Sequence, residues 1–259
     1  MRISLLQMDM KLGKVDDNFA VAEHMIKDAM KDKPDVLVLP ETWNTGFFPK
    51  ENLKELCCND ADTVKKIIGS LAKEHSVNIV AGSVSNVRDG KVYNTALVFN
   101  RMGECVAEYD KTHLFSPMAE DKYYTGGDKL CRFELDGVMC GVIICYDLRF
   151  PELTRKLALD GIDILFVVSQ WPDVRIFHLH TLAIARAIEN EIFVACCNSC
   201  GKANKTVYGG SSLIIDPSGK TLALAGDKEE IIYADCDLSV LSQIRESIPV
   251  FSDRHPEQY

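Results

Sequence analysis

Four short apolar runs constrain the fold of this 259-residue chain more than any other feature. They are DVLVLP (35–40), VMCGVIIC (138–145), IDILFVVSQ (162–170) and EIFVACCN (191–198). Because these runs are nearly continuously apolar, both faces of each strand must be covered by other parts of the chain. This pattern is typical of strands in a sheet that lies between other layers, and it predicts an α/β fold.

Helix-like segments alternate with the strands along the whole chain. Apolar residues at helical spacing and capping residues predict helices at 16–29, 61–75, 151–160 and 174–190. Asp-Gly pairs at 89–90 and 136–137 predict tight turns between neighbouring strands. No Pro/Ser-rich linker interrupts the pattern, so we expect a single domain over 1–259. The two similar halves favour a four-layer α-β-β-α sandwich, although periodicity equally permits one doubly wound sheet.

Composition argues against several classes of function. The net charge of -9 and the absence of any Lys/Arg block argue against nucleic-acid binding. No apolar run approaches the roughly 20 residues that cross a membrane. The N-terminus, MRISLLQMDMKLGK, lacks the apolar core of a signal peptide, so we expect a cytoplasmic protein. Its ten cysteines would then be reduced thiols.

Cys145 occupies a position that suits a nucleophile. It ends the run VMCGVIIC, and a predicted helix begins a few residues later at Pro151. A turn from strand to helix exposes a side chain at the carboxyl edge of a sheet, beside backbone N–H groups that can receive an oxyanion. The competing interpretation is a buried structural thiol, because most of the other cysteines lie inside apolar runs.

An acid and an amine follow two other strands. Glu41 comes directly after DVLVLP, and Lys111 follows ECVAEYD. Each alone is compatible with a solvated loop carboxylate or a surface lysine. With Cys145 they supply a base, a cation for an oxyanion and a nucleophile.

Three segments carry a family resemblance. LPETWNTGF, YDKTHLF and GVIICYDLRFPEL resemble the signature segments of the nitrilase superfamily of carbon-nitrogen hydrolases, in the usual order, and the resemblance extends from residue 2 to about 240. CYDLRFPEL, together with the stretch that begins SQWPDVR, is most similar to the omega-amidase branch. The resemblance implies an α-β-β-α sandwich, a homodimer with the tail from about 240 at a subunit interface, and no metal or cofactor.

The resemblance also implies residue roles. Glu41 would be the general base, Lys111 the cation that stabilises the tetrahedral intermediate, and Cys145 the nucleophile. Many members have a second glutamate after the lysine, and Glu120 in MAEDKYYTGGD is the matching candidate, with Asp121 adjacent.

These roles are chemically consistent. Glu41 can take the thiol proton while Lys111 favours the thiolate electrostatically. Lys111 and the backbone N–H of Tyr146 can receive the oxyanion formed by attack on an amide. Glu41 then protonates the departing ammonia and activates water against the thioester.

Several residues near these segments are candidate walls of a substrate pocket. Trp43, Phe47, Tyr146 and Trp171 flank the site segments, and each is alternatively a core residue. His113 lies two residues after Lys111, and its alternative role is a hydrogen-bonded wall residue.

The substrate expected from the resemblance is a small carboxylic-acid amide, above all the omega-amide of a 2-oxo acid such as 2-oxoglutaramate. Its remote carboxylate calls for a cation. Arg149 and Arg175 are the candidates, although pairing of Arg149 with Glu152 is an alternative. Hydrolysis of an N-carbamoyl compound or another small linear amide, and a non-catalytic binding protein on the same fold, remain alternative functions.

Two rival chemistries use other residues. A Cys-His dyad would recruit His113, His178 or His180, but the last two point in different directions on one helix. Cys197 and Cys200 form a C-x-x-C, which alone is weak evidence for zinc or redox chemistry because its first cysteine ends a buried strand.

Overall fold

A computed structural model describes residues 1–47 and 49–258. Its strands are β1 (Arg2–Gln7), β2 (Val36–Val38), β3 (Cys58–Asn59), β4 (Asn78–Arg88), β5 (Lys91–Phe99), β6 (Cys105–Asp110), β7 (Arg132–Leu135), β8 (Val138–Ile144), β9 (Ile164–Ser169), β10 (Phe193–Asn198), β11 (Cys200–Ala203), β12 (Thr206–Gly209), β13 (Leu213–Ile215), β14 (Thr221–Leu224) and β15 (Glu230–Asp235). Its α-helices are α1 (Val15–Ala29), α2 (Leu53–Leu56), α3 (Asp62–His75), α4 (Pro151–Leu159), α5 (Ile176–Asn190) and α6 (Val240–Ser247).

The strands form two large sheets and one hairpin. The first sheet has the order β15-β1-β2-β4-β5-β6, with β3 also paired to β4. The second has the order β14-β13-β10-β9-β8-β7, and β11 pairs with β12 alone. Of the described helices, none is long and apolar enough to cross a membrane.

Three apolar clusters define the layers. One contains inward residues of both sheets, such as Val38 and Phe166. A second joins the first sheet to α1 and α3, and a third joins the second sheet to α4 and α5. The prediction of a four-layer α-β-β-α sandwich is therefore confirmed, and the doubly wound alternative is wrong. The central strands are continuously apolar because each is covered on both faces.

Both predicted Asp-Gly turns are present. Asp89 and Gly90 have φ of 50° and 74°, and Asp136 and Gly137 have φ of 51° and 81°. Two successive residues with positive φ make the turn whose twist matches a pair of antiparallel strands, and asparagine, aspartate and glycine accept that conformation most readily.

The strand directions place each candidate catalytic residue after the carboxyl end of a strand. β2 is parallel to β4, and β6 runs in the same direction because both β4 and β6 are antiparallel to β5. In the second sheet β8, β9 and β10 are mutually parallel. Glu41, Lys111 and Cys145 therefore each follow the carboxyl end of a strand.

The segment beyond residue 240 begins with a helix that the apolar pattern did not predict. Leu241 of α6 packs into the cluster between the sheets. Arg245 forms an ion pair of 3.0 Å with Asp163. The start of the tail is thus anchored to its own chain.

Candidate active site

Glu41 is held by an unusual backbone at the end of β2. Its side chain is fully buried. Thr42 has a φ of 43°, a left-handed conformation that a β-branched residue rarely adopts, and its N–H donates to Ser83 Oγ at 3.0 Å. Gly82, with φ of 58°, lies so close to Pro40 that a Cβ would stand 2.0 Å from the Pro40 carbonyl oxygen. The close approach on one side and the left-handed Thr42 on the other define the backbone around Glu41.

Lys111 bridges two glutamates in the core. Its Nζ lies 2.8 Å from Glu41 Oε1 and 3.0 and 2.9 Å from the two oxygens of Glu120. The side chains of Lys111 and Glu41 are fully buried. An ammonium group has three donors, and all of these contacts are to carboxylates, so the buried positive charge is compensated.

The loop over 112–130 folds back to deliver Glu120. Two short 3₁₀ turns, Ser116–Met118 and Glu120–Lys122, form within it. Glu120 Oε2 accepts the Phe115 backbone N–H at 2.6 Å, so Glu120 also holds the loop.

Asn94 is a member of this cluster that the sequence reasoning missed. Its Nδ2 donates to Glu41 Oε1 at 2.9 Å and to Glu120 Oε1 at 3.4 Å. The available signal was a polar amide within the otherwise largely apolar strand VYNTALVF.

Cys145 lies at the sharp turn that its position predicted. Its φ is 48°, a strained value for a residue other than glycine, and a 3₁₀ turn runs over Cys145–Arg149. Tyr146 follows in the first turn, where backbone N–H groups lack partners within the turn.

Asp147 ties this turn to the segment around Lys111. The fully buried carboxylate accepts the Ile144 N–H at 3.1 Å and the Tyr109 hydroxyl at 2.7 Å. It also accepts the His113 N–H at 2.9 Å and lies 2.8 Å from His113 Nδ1. His113 stacks on Phe150 with ring centroids 3.6 Å apart. His113 therefore has the hydrogen-bonded role that was its alternative, and in the part of the chain that the structure describes no histidine hydrogen-bonds Cys145.

Burial and neighbouring charge shift the three central pKa values. Burial raises the pKa of Glu41, an effect that Lys111 opposes and the charge of Glu120 reinforces. Burial acts to lower the pKa of Lys111, but the charges of Glu41 and Glu120 outweigh it and raise that pKa well above its ordinary value. Burial, and then the charge of Glu41, raise the pKa of Cys145 well above its ordinary value. Lys111 acts to lower the pKa of Cys145, as expected, but burial and the charge of Glu41 outweigh that effect.

Cys145 lies in the wall of a narrow cavity of about 40 Å³. The other lining residues are Phe47, Phe115, Met118, Tyr146, Arg149, Gln170, Trp171, Pro172, Arg175, Thr206 and Tyr208. Five of the residues expected in the pocket line this cavity, namely Phe47, Tyr146, Arg149, Trp171 and Arg175. Thr206 and Tyr208 also line it, and the sequence did not predict their contribution.

Trp43 is the exception among the expected pocket aromatics. It is fully buried in the cluster beneath α1 and α3. Its Nε1 donates to the Ala81 carbonyl at 2.7 Å, and its ring meets Phe19 edge-on with centroids 4.8 Å apart. The prediction that Trp43 narrows the pocket is wrong because the side chain packs into the outer core layer.

Two guanidinium groups line the cavity. Arg149 lies over the Trp171 ring at 4.7 Å, and Arg175 lies over the Phe115 ring at 5.1 Å. Within the described part of the chain, neither forms an ion pair with a carboxylate, so the alternative pairing of Arg149 with Glu152 is wrong. Both positive charges remain available to an anionic ligand.

The remaining rival motifs have structural roles. Cys197 Sγ lies 3.4 Å from the Leu6 carbonyl and 3.3 Å from that of Val38, deep in the core. His180 Nε2 lies 2.9 Å from the Ser211 carbonyl. The residues that the structure describes contain no group of three or more His, Cys, Asp or Glu side chains arranged to hold a metal ion.

Comparison with known proteins agrees with this arrangement. The carbon-nitrogen hydrolase family matches residues 2–246. This chain belongs to the carbon-nitrogen hydrolase family. The enzyme is 44% identical to 2-oxoglutaramate amidase of Bacillus subtilis over 257 residues, which cover 99% of this chain and 98% of that protein. It is 31% identical to omega-amidase NIT2 of Homo sapiens, over 100% of this chain and 96% of that protein.

A solved structure shows the same fold for this carbon-nitrogen hydrolase. Saccharomyces cerevisiae Nit3, described as a member of branch 10 of the nitrilase superfamily, superposes with a TM-score of 0.91 at 29% identity. The match covers 98% of this chain and 96% of that one. The two-sheet architecture that brings Glu41, Lys111 and Cys145 together is therefore a nitrilase-superfamily fold.

Proposed function

We propose that this carbon-nitrogen hydrolase cleaves the omega-amide of a small 2-oxo acid, such as 2-oxoglutaramate, through a thioester on Cys145. The observation that carries the proposal is a cavity with Cys145 in its wall and two guanidinium groups without carboxylate partners among the described residues. The similarity to 2-oxoglutaramate amidase of Bacillus subtilis supports the same substrate class.

The first half-reaction forms the thioester. Glu41 Oε2 is buried and has no hydrogen-bond partner among the described residues, which makes it the oxygen that takes the thiol proton. The sulfur electron pair attacks the amide carbon, and the carbonyl electron pair moves onto oxygen. Lys111 and the Tyr146 N–H stabilise that oxyanion. Collapse of the intermediate breaks the C–N bond, and Glu41 returns its proton to the departing nitrogen, which leaves as ammonia.

The second half-reaction regenerates the enzyme. Glu41 takes a proton from water as the oxygen attacks the thioester carbon. The C–S bond then breaks, the acid leaves, and the proton returns to the Cys145 sulfur. Glu120 keeps Lys111 in place through both steps by its contacts of 3.0 and 2.9 Å.

Substrate orientation follows from the two cations. A 2-oxo acid amide carries its carboxylate at the end remote from the amide, and guanidinium groups bind carboxylates with paired hydrogen bonds. Arg175 and Arg149 would bind that end while Phe47 and Trp171 enclose the carbon chain.

Ammonia release tests this proposal. The enzyme is assayed with 2-oxoglutaramate, 2-oxosuccinamate, a monoamide without a carboxylate and an N-carbamoyl amino acid, beside Cys145→Ala. We expect hydrolysis of the 2-oxo acid amides by the wild type only, and a transient acyl mass increase on Cys145. Preference for the carbamoyl compound would overturn the substrate, and full activity of Cys145→Ala would overturn the nucleophile.

We also propose a homodimer, supported by an exposed apolar face on the outer helix. Phe177 and Ile188 of α5 are 78% and 49% exposed, and Ile248 beyond α6 is 63% exposed. The spacing of the first two, eleven residues, places them on one face of the helix. Sedimentation at several concentrations tests the pairing, and Phe177→Asp is expected to weaken it.

A cytoplasmic location is likewise proposed. All ten cysteines are free, as a reducing compartment requires. Cell fractionation tests this location, and recovery of the protein outside the cytoplasm would overturn it.

A further inference from the structure

We propose that Asn94 is a positioning residue that selects which oxygen of Glu41 acts as the base and limits its affinity for a proton. The inference rests on the assignment of Glu41 as the base. Asn94 is fully buried on β5, between β4 and β6. Its side-chain amide donates to the Glu41 and Glu120 carboxylates, so it acts through Glu41 and not on the substrate.

The contacts of Asn94 reach all three charged residues of the cluster. Its backbone carbonyl accepts the Lys111 backbone N–H at 2.9 Å. Its Nδ2 donates to Glu41 Oε1 at 2.9 Å and to Glu120 Oε1 at 3.4 Å. One residue thus fixes the backbone of the cation and touches both carboxylates.

The two oxygens of Glu41 are consequently unequal. Oε1 receives both Lys111 Nζ at 2.8 Å and Asn94 Nδ2 at 2.9 Å. Oε2 receives no hydrogen bond from the described residues. A proton therefore goes to Oε2, while the two donors on Oε1 stabilise the ionised carboxylate and oppose the effect of burial on its pKa.

The orientation of the Asn94 amide supports this role. Its Oδ1 is buried and also has no partner among the described residues, which is a cost to the folded state. The amide is oriented for the carboxylates, since the reverse orientation would place Oδ1 against two negative groups. A residue that served packing alone would not need this arrangement.

The pH profile of kcat/KM for amide hydrolysis tests the proposal. Asn94→Leu removes the donor at similar size, and Asn94→Asp removes it and adds a carboxylate. The acid limb is the low-pH side of this profile, where protonation of Glu41 removes activity. We expect it to move to higher pH by about one pH unit in Asn94→Leu, because ionised Glu41 loses a hydrogen-bond donor, and further in Asn94→Asp, because a like charge is added. On the acid limb, kcat/KM falls about tenfold for each pH unit.

Asn86 provides the matched control. It is a fully buried asparagine on the adjacent strand β4 whose amide contacts are to the Ala61 N–H and Thr95. Asn86→Leu is expected to lower the melting temperature without moving the limb. Acid limbs of both Asn94 variants that coincide with the wild type would overturn the proposal, as would an equal shift in Asn86→Leu.

A second measurement separates this inference from the proposed function. The rate of Cys145 alkylation by iodoacetamide against pH reports the same proton acceptor without substrate, and it should shift in parallel in the folded Asn94 variants. If Glu41→Gln hydrolyses amides as fast as the wild type, the base assignment itself has failed. If Glu41→Gln is inactive and the Asn94 limbs do not move, only the role of Asn94 has failed.

Discussion

Replacing Lys111 with methionine should destabilise the protein in a strongly pH-dependent manner. Lys111 Nζ contacts Glu41 and Glu120 at 2.8 to 3.0 Å, and these groups are inaccessible to solvent. Without the ammonium, two buried carboxylates would face each other, and one must bind a proton. At pH 7 this costs about 3.7 kcal/mol, because each unit above an ordinary glutamate pKa of about 4.3 costs about 1.4 kcal/mol. The figure agrees with the roughly 3–5 kcal/mol typical of a broken buried ion pair.

The pH dependence has a definite sign. In Lys111→Met the pKa of the paired carboxylates is higher in the folded state than in the unfolded state. The loss of unfolding free energy is therefore complete at pH above the folded-state pKa, and it disappears as the pH falls toward the unfolded-state pKa. By the same arithmetic, about 1 kcal/mol remains at pH 5. Urea unfolding at fixed protein concentration from pH 5 to 8 measures this directly.

Two further variants make the experiment decisive. Lys65→Met breaks the partly exposed pair with Glu108 at 2.9 Å and should cost less than about 1 kcal/mol at every pH. Lys111→Met combined with Glu120→Gln removes one of the two charges and should recover most of the stability at pH 7. A penalty in Lys111→Met that is equal at pH 5 and pH 7 would refute the reasoning.

Three other substitutions test separate features of the site. Arg175→Ala should raise KM for 2-oxoglutaramate roughly tenfold to a hundredfold with little change in kcat, whereas a monoamide without a carboxylate should show no KM change; steady-state kinetics measures both. Trp43→Ala should lower the unfolding free energy by about 3–5 kcal/mol, as expected of a core residue, and urea unfolding measures this. The KM of the folded variant should equal that of the wild type, which steady-state kinetics checks. Asp147→Asn should lower kcat about tenfold or more, because an amide nitrogen cannot accept the contacts that hold the Cys145 turn; unchanged kcat would contradict the positioning role.

The sequence was most informative where a residue follows a strand. Lys111 and Cys145 come directly after β6 and β8, and Glu41 follows β2 after Leu39 and Pro40. β2 and β6 belong to the first sheet and β8 to the second, so the site lies where the carboxyl ends of strands from both sheets meet. The apolar runs likewise predicted sheets covered on both faces, which is how the clusters above and below β2 and β9 are arranged. These features depend on local pattern, which a sequence displays directly.

Other features depend on backbone conformation or on partners distant in the chain. Trp43 lies two residues after Glu41, but the left-handed Thr42 between them turns the chain, and Trp43 packs into the outer layer. Arg149 belongs to a 3₁₀ turn that ends before Pro151, so helical spacing does not pair it with Glu152. No periodicity could reveal either outcome, because each follows from local dihedral angles.

In the proposed mechanism, the total charge buried at this centre stays constant, which would allow one carboxylate to serve both half-reactions. Counted formally, one ammonium between two carboxylates gives Lys111, Glu41 and Glu120 a net charge of -1, and the Cys145 thiol and an amide add none. When Glu41 takes the thiol proton, the negative charge moves through sulfur to the substrate oxygen, and the total is unchanged. Departure of neutral ammonia and attack by neutral water also leave it unchanged. No step therefore places an additional charge in the protein interior. The free-energy cost of removing these charges from water, which Lys111 offsets in the folded state, does not recur during turnover.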